Sequence, residues 1–178
     1  MSDAALTALA AQVRLVVFDV DGVMTNGQLI LGPAGEELKV FHVRDGHGLV
    51  MLRESGLAVA VITGRQSAVV AARMAELGIE FVYQGQRDKL VALADLCARL
   101  GVAEHEICYV GDDLPDLPVL RKVGLPVTVA DGHPQCVAAA RWRTAALGGA
   151  GAVREICEFI LAAQGRLAAQ YARYGGQC

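Results

Sequence analysis

Apolar residues along this chain recur in two periods that alternate from its first third onward. Short continuous apolar runs, read as strands, occur at 13–19, 58–62 (Ala-Val-Ala-Val-Ile), 79–83, 107–110 and 126–129. Between them lie stretches with helical spacing at 46–55, 66–77, about 87–100, 117–123, 135–140 and 152–163, several closed by a glycine such as Gly56, Gly78 or Gly101. Strands separated by helices of this length predict a parallel sheet with right-handed crossovers, a doubly wound α/β fold. One segment breaks the alternation. Residues 27–31 and 37–42 read as two strands around Gly32-Pro33-Ala34-Gly35, so a β-hairpin is expected where a plain βαβ unit would continue. A short amphipathic helix is expected over Met1–Ala11, and residues 165–178 form a tail whose two glycines would suit a flexible lid.

Composition narrows the class. At 178 residues and 54% hydrophobic, without an apolar run of membrane-spanning length, the chain is expected to be one soluble domain with a substantial core. A net charge of −3 with no block of Lys or Arg argues against nucleic acid, and no membrane partner is expected. The five cysteines are scattered and lack C-x-x-C spacing, which suggests neither a disulfide framework nor zinc. With no basic region at the start, a cytoplasmic location is expected.

The chemistry collects at strand ends. The first strand delivers Asp19 and Asp21, the second Thr63, the helix near 87–100 begins at Lys89, and a later strand runs into Gly111-Asp112-Asp113. In a parallel sheet these ends share one rim, where such folds bind ligands. Each polar cluster alone is also what an ordinary strand-to-turn transition looks like. Together, an oxygen-only set of carboxylates asks for a hard divalent cation, most naturally magnesium. The Thr63 hydroxyl, the amides at Gly64 and the Lys89 ammonium suit a phosphoryl group.

Phe18-Asp19-Val20-Asp21-Gly22-Val23, Ile62-Thr63-Gly64-Arg65, Lys89 and Gly111-Asp112-Asp113 resemble, in order and spacing, the four motifs of the haloacid dehalogenase superfamily of phosphatases. That resemblance implies Asp19 as nucleophile, Asp21 as acid and base, and Thr63 and Lys89 as stabilisers of the transferring group. It further implies magnesium held by Asp19, the Asp21 carbonyl and Asp112, with Asp113 and Asp116 in support. The roughly 40 residues between Asp21 and Thr63 leave no room for a cap domain. The hairpin, Phe41-His42-Val43-Arg44-Asp45-Gly46-His47-Gly48 and Gly148-Gly149-Ala150-Gly151-Ala152-Val153-Arg154-Glu155 closely resemble the 3-deoxy-D-manno-octulosonate 8-phosphate phosphatase family. This implies a sugar acid phosphate as substrate, a role in lipopolysaccharide precursor synthesis, and a homotetramer whose hairpins pair between subunits. Asn26 departs from the Asp-Gly that many relatives carry there, with little loss of activity expected.

Two other readings stay open: a phosphatase for a nine-carbon, sialic-type acid 9-phosphate, which the motifs do not separate, and a receiver-like phosphoacceptor domain. The Asp19-x-Asp21 pair and the hairpin speak against the receiver. Among single residues, Arg65 opens a helix, where a cation opposes the dipole, so substrate contact is the more natural role. Arg44 and His47 either meet the sugar acid across a subunit boundary or are solvated. His42, His105 and His133 read as structural or loop residues, and Trp142 as a core or interface residue.

Overall fold

The structure is a computed structural model that describes residues 3–176. Its elements run α1 (Asp3–Ala11), β1 (Leu15–Phe18), β2 (Ile30–Leu31), β3 (Glu37–Leu38), α2 (Val43–Glu54), β4 (Ala58–Ile62), α3 (Ala68–Glu76) and β5 (Phe81–Tyr83). There follow α4 (Lys89–Leu100), β6 (Ile107–Val110), α5 (Leu117–Leu120), β7 (Leu125–Thr128), α6 (Pro134–Ala139), β8 (Trp142–Arg143), α7 (Ala152–Ala163) and α8 (Leu167–Ala172). Six strands form one parallel sheet in the order β5-β4-β1-β6-β7-β8, and β2 pairs with β3 in a separate antiparallel ribbon. This is the expected doubly wound architecture with an inserted hairpin and no cap.

Strand alternation divides the core into two layers. Val16 and Phe18 of β1, with Val59, Val61, Cys108 and Val110 of its neighbours, face α2, α3 and α7. Leu15 and Val17, with Ala60, Ile62, Ile107 and Tyr109, face α4, α5 and α6. Because both faces of β1 are covered, all four of its residues are buried, which is why the sequence shows a continuous run there. Burying a side chain the size of Phe18 contributes roughly 2–3 kcal/mol.

Four expectations needed adjustment. Helix α2 begins at Val43, three residues earlier than the glycines suggested, and carries Gly46 and Gly48 inside it. A Cβ on Gly48 would lie 3.2 Å from Cys157 of α7, so low helix propensity is outweighed by the close approach of two helices. The hairpin is shorter than expected, with only Ile30↔Leu38 and Leu31↔Glu37 paired. Strand β8 was not foreseen, since two residues are too few to show a period. The tail is not loose over 167–172: α8 docks on the end of α2, where Gln170 Nε2 donates to Ser55 Oγ at 2.8 Å and Arg166 to the Ser55 carbonyl at 3.0 Å. Cys97, Cys108, Cys136 and Cys157 are free thiols, and Cys178 lies outside the described residues. Among the described residues, no helix is long and apolar enough to cross a membrane.

Candidate active site

The strand-end residues singled out from the sequence line one cleft with Asp19. The Asp19 amide donates to the Val110 carbonyl at 2.9 Å, continuing the β1–β6 register one residue past the strand. The chain then turns sharply, with the amides of Val23, Met24 and Thr25 all converging on the Val20 carbonyl. Gly22 makes this turn at φ +92°, and a Cβ there would sit 2.1 Å from Asp112 Oδ2. The glycine thus serves both the left-handed backbone and the approach of the second acidic loop. The Gly148-Gly149 segment braces the turn from outside: Gly149 N donates to the Val23 carbonyl at 2.9 Å, and Gly148 N to Asp131 at 2.9 Å.

Lys89, the first residue of α4, has its ammonium buried between carboxylates, 3.0 Å from Asp19 Oδ1 and 2.7 Å from Asp116 Oδ1. Burial alone would pull its pKa down, but Asp19 and Asp116 outweigh that and hold it above the usual lysine value. Asp116 is committed to structure as well, accepting from Tyr109 Oη at 2.5 Å and from the amides of Asp112 and Asp113 at 3.0 and 3.2 Å. It fixes the acidic loop to the helix that carries Lys89. Asp113 lines the same cleft, and its amide is what anchors it to Asp116. Thr63 is buried at the end of β4, where its amide donates to the Tyr83 carbonyl and its hydroxyl lies 3.4 Å from the Arg65 amide.

Carboxylate oxygens of Asp19, Asp112 and Asp116 lie within 4.8 Å of one another. Desolvation, then the charge of Asp116, raises the Asp19 pKa to about 7 despite Lys89; desolvation, then the charges of Asp19 and Asp116, raises that of Asp112 to about 8. Asp112 Oδ1 is buried and accepts no hydrogen bond, while the buried Asp19 Oδ1 is met only by the Lys89 ammonium at 3.0 Å. A buried carboxylate oxygen with no donor, set among mutually repelling carboxylates, is what a hard divalent cation satisfies, so the donor set fits magnesium. The Asp21 side chain is not part of this group. It makes ion pairs with Lys39, and with Arg65 at 3.9 Å, while Arg65 also reaches Glu37 at 3.2 Å. A cavity of about 340 Å³ opens between the two sets, lined by Asp19, Asp21, Thr63, Arg65, Lys89 and Asp112.

The structure places some candidates elsewhere. Arg44 lines a different cavity with His42 and Arg154, and His47 packs edge-on to Tyr174 at 5.3 Å between ring centres. His133 caps α6 through its ring nitrogen, His105 sits in a short 3-10 turn, and Trp142 packs on Phe159 at 4.6 Å. Sequence reasoning missed Lys39 and Glu37. The signal available was the charged/apolar alternation Glu37-Leu38-Lys39-Val40, which puts both charges on one side of a strand.

A haloacid dehalogenase-like hydrolase family model matches residues 76–154. The Escherichia coli K12 3-deoxy-D-manno-octulosonate 8-phosphate phosphatase is 50% identical over 160 residues, covering 90% of this chain and 85% of that one. The chain belongs to the 3-deoxy-D-manno-octulosonate 8-phosphate phosphatase family. The solved structure of the Yersinia pestis member is 49% identical, with a TM-score of 0.90 over 91% of this chain and 88% of its own. That of the Moraxella catarrhalis member is 43% identical, with a TM-score of 0.95 over 97% and 99%; it holds a magnesium ion, a phosphate ion and a KDO molecule. Membership in this phosphatase family excludes the receiver-like reading.

Proposed function

We propose that this chain is a magnesium-dependent phosphatase that hydrolyses 3-deoxy-D-manno-octulosonate 8-phosphate. The observation that carries the reading is the cluster of Asp19, Asp112 and Asp116 carboxylates, with a buried Asp112 oxygen that has no donor, beside the Lys89 ammonium, within a family that acts on this substrate. Asp19, Asp112 and the main-chain carbonyl of Asp21 would hold the magnesium ion. When bound, that ion neutralises negative charge on the phosphoryl oxygens and on the carboxylates that must approach them.

The residues divide the rest. An Asp19 oxygen attacks phosphorus as the bond to the sugar oxygen breaks, forming an aspartyl phosphate. The Asp21 carboxyl group gives its proton to the departing oxygen, so a neutral alcohol leaves. Asp21, now a carboxylate, takes a proton from water as that water attacks phosphorus, and Asp19 leaves as a carboxylate. Lys89, Thr63 and the Gly64 amide bind the equatorial oxygens, where charge is spread in transit. Arg65, at the mouth of the cavity, binds an anionic part of the substrate.

On this reading the product is the sugar acid used in lipopolysaccharide precursors, and the reaction is a cytoplasmic one. Assembly follows from the hairpin, where Leu31, Leu38 and Val40 are 66, 56 and 62% exposed. A two-stranded ribbon is marginal alone, so pairing between copies in a homotetramer covers this surface. The test is phosphate release from the eight-carbon acid 8-phosphate and from a nine-carbon, sialic-type acid 9-phosphate, with magnesium and after chelation. Higher kcat/KM for the nine-carbon substrate, or full activity after chelation, would overturn the proposal.

A further inference from the structure

The hairpin reaches into the cleft through one residue. Lys39, just beyond β3, has a side chain only 1% exposed, and its ammonium contacts the Asp21 carboxylate and, at 3.0 Å, Glu37 Oε1. Its flanking residues Leu38 and Val40 point outward, so strand alternation alone turns Lys39 inward. Glu37 is shared with Arg65 at 3.2 Å, which itself lies 3.9 Å from Asp21. Two cations and two carboxylates from the hairpin, the first strand end and the second strand end therefore close a ring at the mouth of the cavity.

We infer that Lys39 is a positioning residue for the phosphoryl transfer: it fixes the Asp21 carboxyl group where the leaving sugar oxygen departs. The inference rests on the reading of Asp21 as the proton donor. On the nucleophile side, Asp19 is held by the main-chain register and by Lys89. Asp21 sits one turn later, and the side-chain contacts that fix it come from Lys39 and Arg65. Arg65 is half-exposed and at the limit of ion-pair range, so Lys39 dominates. Glu37 offsets the charge Lys39 brings, so the pair orients Asp21 without adding much net positive charge beside it. Three N–H groups on the ammonium allow Asp21 and Glu37 to be held at once.

This role has a signature that a merely structural one lacks. The rate constant kcat/KM includes steps only up to departure of the alcohol, before water attacks the aspartyl phosphate. A sugar alkoxide is strongly basic and needs the Asp21 proton to leave, whereas the phenolate of p-nitrophenyl phosphate departs without it. In magnesium-loaded protein, Lys39→Met should lower kcat/KM for 3-deoxy-D-manno-octulosonate 8-phosphate roughly 10- to 100-fold, the loss expected when a reacting group is misplaced by about 1 Å. For p-nitrophenyl phosphate the same variant should stay within about threefold of the parent, and Lys39→Arg should recover part of the sugar phosphate rate. An equal loss on both substrates, or no loss on either, would overturn the role of Lys39. Asp21→Asn, run beside it, separates the two ideas. If Asp21→Asn itself shows no preference for the aryl substrate, the proton-donor reading fails; if it does and Lys39→Met does not, only the positioning role fails.

Discussion

Removing divalent cations should make this protein less stable as pH rises from 5 to 8.5. Asp19 has its pKa raised from 3.8 to about 7, first by burial and then by Asp116. A carboxyl group with a raised folded pKa keeps its proton in the folded state after the unfolded chain has released it. Its contribution is therefore fully present below about pH 4 and is lost as pH climbs through 7. Of this rise of roughly three pH units, about two lie above pH 5, and at about 1.36 kcal/mol each they give on the order of 3 kcal/mol for Asp19 alone over this range. Asp112, raised to about 8, acts in the same direction and carries the window upward. The two do not add, because each charge is part of the cause of the other's shift. For a chain of this size, about 3 kcal/mol corresponds to a fall in Tm of roughly 6–12 °C. Of the other shifted groups, Asp45, raised by burial, acts in the same direction; Glu37 and Glu106 have lowered pKa values and act only at more acid pH, while the buried thiols are pushed up and act above the window. Calorimetry in chelator should show the fall, and excess magnesium should flatten or reverse it, since cation binding favours the deprotonated carboxylates. A Tm in chelator that is flat or rises over this range would refute the electrostatic reading of the triad.

Asp19→Asn should fold and keep its Tm in chelator at pH 8 or gain on the parent, while phosphate release falls to background; turnover near the parent's would refute the covalent step. Gly22→Ala should cost about 1–2 kcal/mol from its positive φ alone and weaken magnesium binding at least about tenfold by displacing Asp112, read by titration calorimetry; unchanged affinity would exclude the close contact at 2.1 Å. Asp45 is buried, and burial raises its pKa although the amides of Gly151 and Arg154 donate to it at 3.2 and 2.9 Å; Asp45→Ala should cost about 2–4 kcal/mol in denaturant unfolding by freeing the start of α7. The double variant Leu31→Glu/Val40→Glu should lower the mass found by light scattering, and an unchanged assembly would exclude the hairpin as its interface.

The sheet was legible because it obeys a simple rule. Strands buried on both faces must be apolar throughout, so β1, β4 and β6 appear as uninterrupted runs, and the polar residues that follow them mark the cleft. Asp19, Thr63, Lys89 and Asp112 all stand where a run stops or a helix begins. What the periodicity could not show were residues whose partners are distant in sequence and whose own surroundings give the wrong cue. Tyr109 belongs to an apolar run and reads as core, yet its hydroxyl holds Asp116. Asp45 stands before two glycines and reads as a turn, yet it lies within α2 and accepts from amides more than a hundred residues away. Gly48 lies inside the helix expected over 46–55, but the reason for a glycine there, the approach of α7, is tertiary and has no sequence signal.

The hairpin inverts the usual pattern, and the inversion carries information of its own. In an ordinary surface strand the charged side faces water and the apolar side faces the core. Here Glu37 and Lys39 face inward to Asp21 and Arg65, while Leu31, Leu38 and Val40 face out. A single chain gains nothing from that arrangement, since it exposes apolar area and buries charge at once. Both costs are offset together only when another surface covers the outer side and a substrate occupies the inner one. The same few residues then join the two faces rigidly, because alternation along an extended chain leaves Leu38 and Val40 no way to shift without turning Lys39. In the proposed homotetramer the uncapped cleft is thereby tied to assembly: whatever fixes the outside of the ribbon fixes the ammonium that holds Asp21.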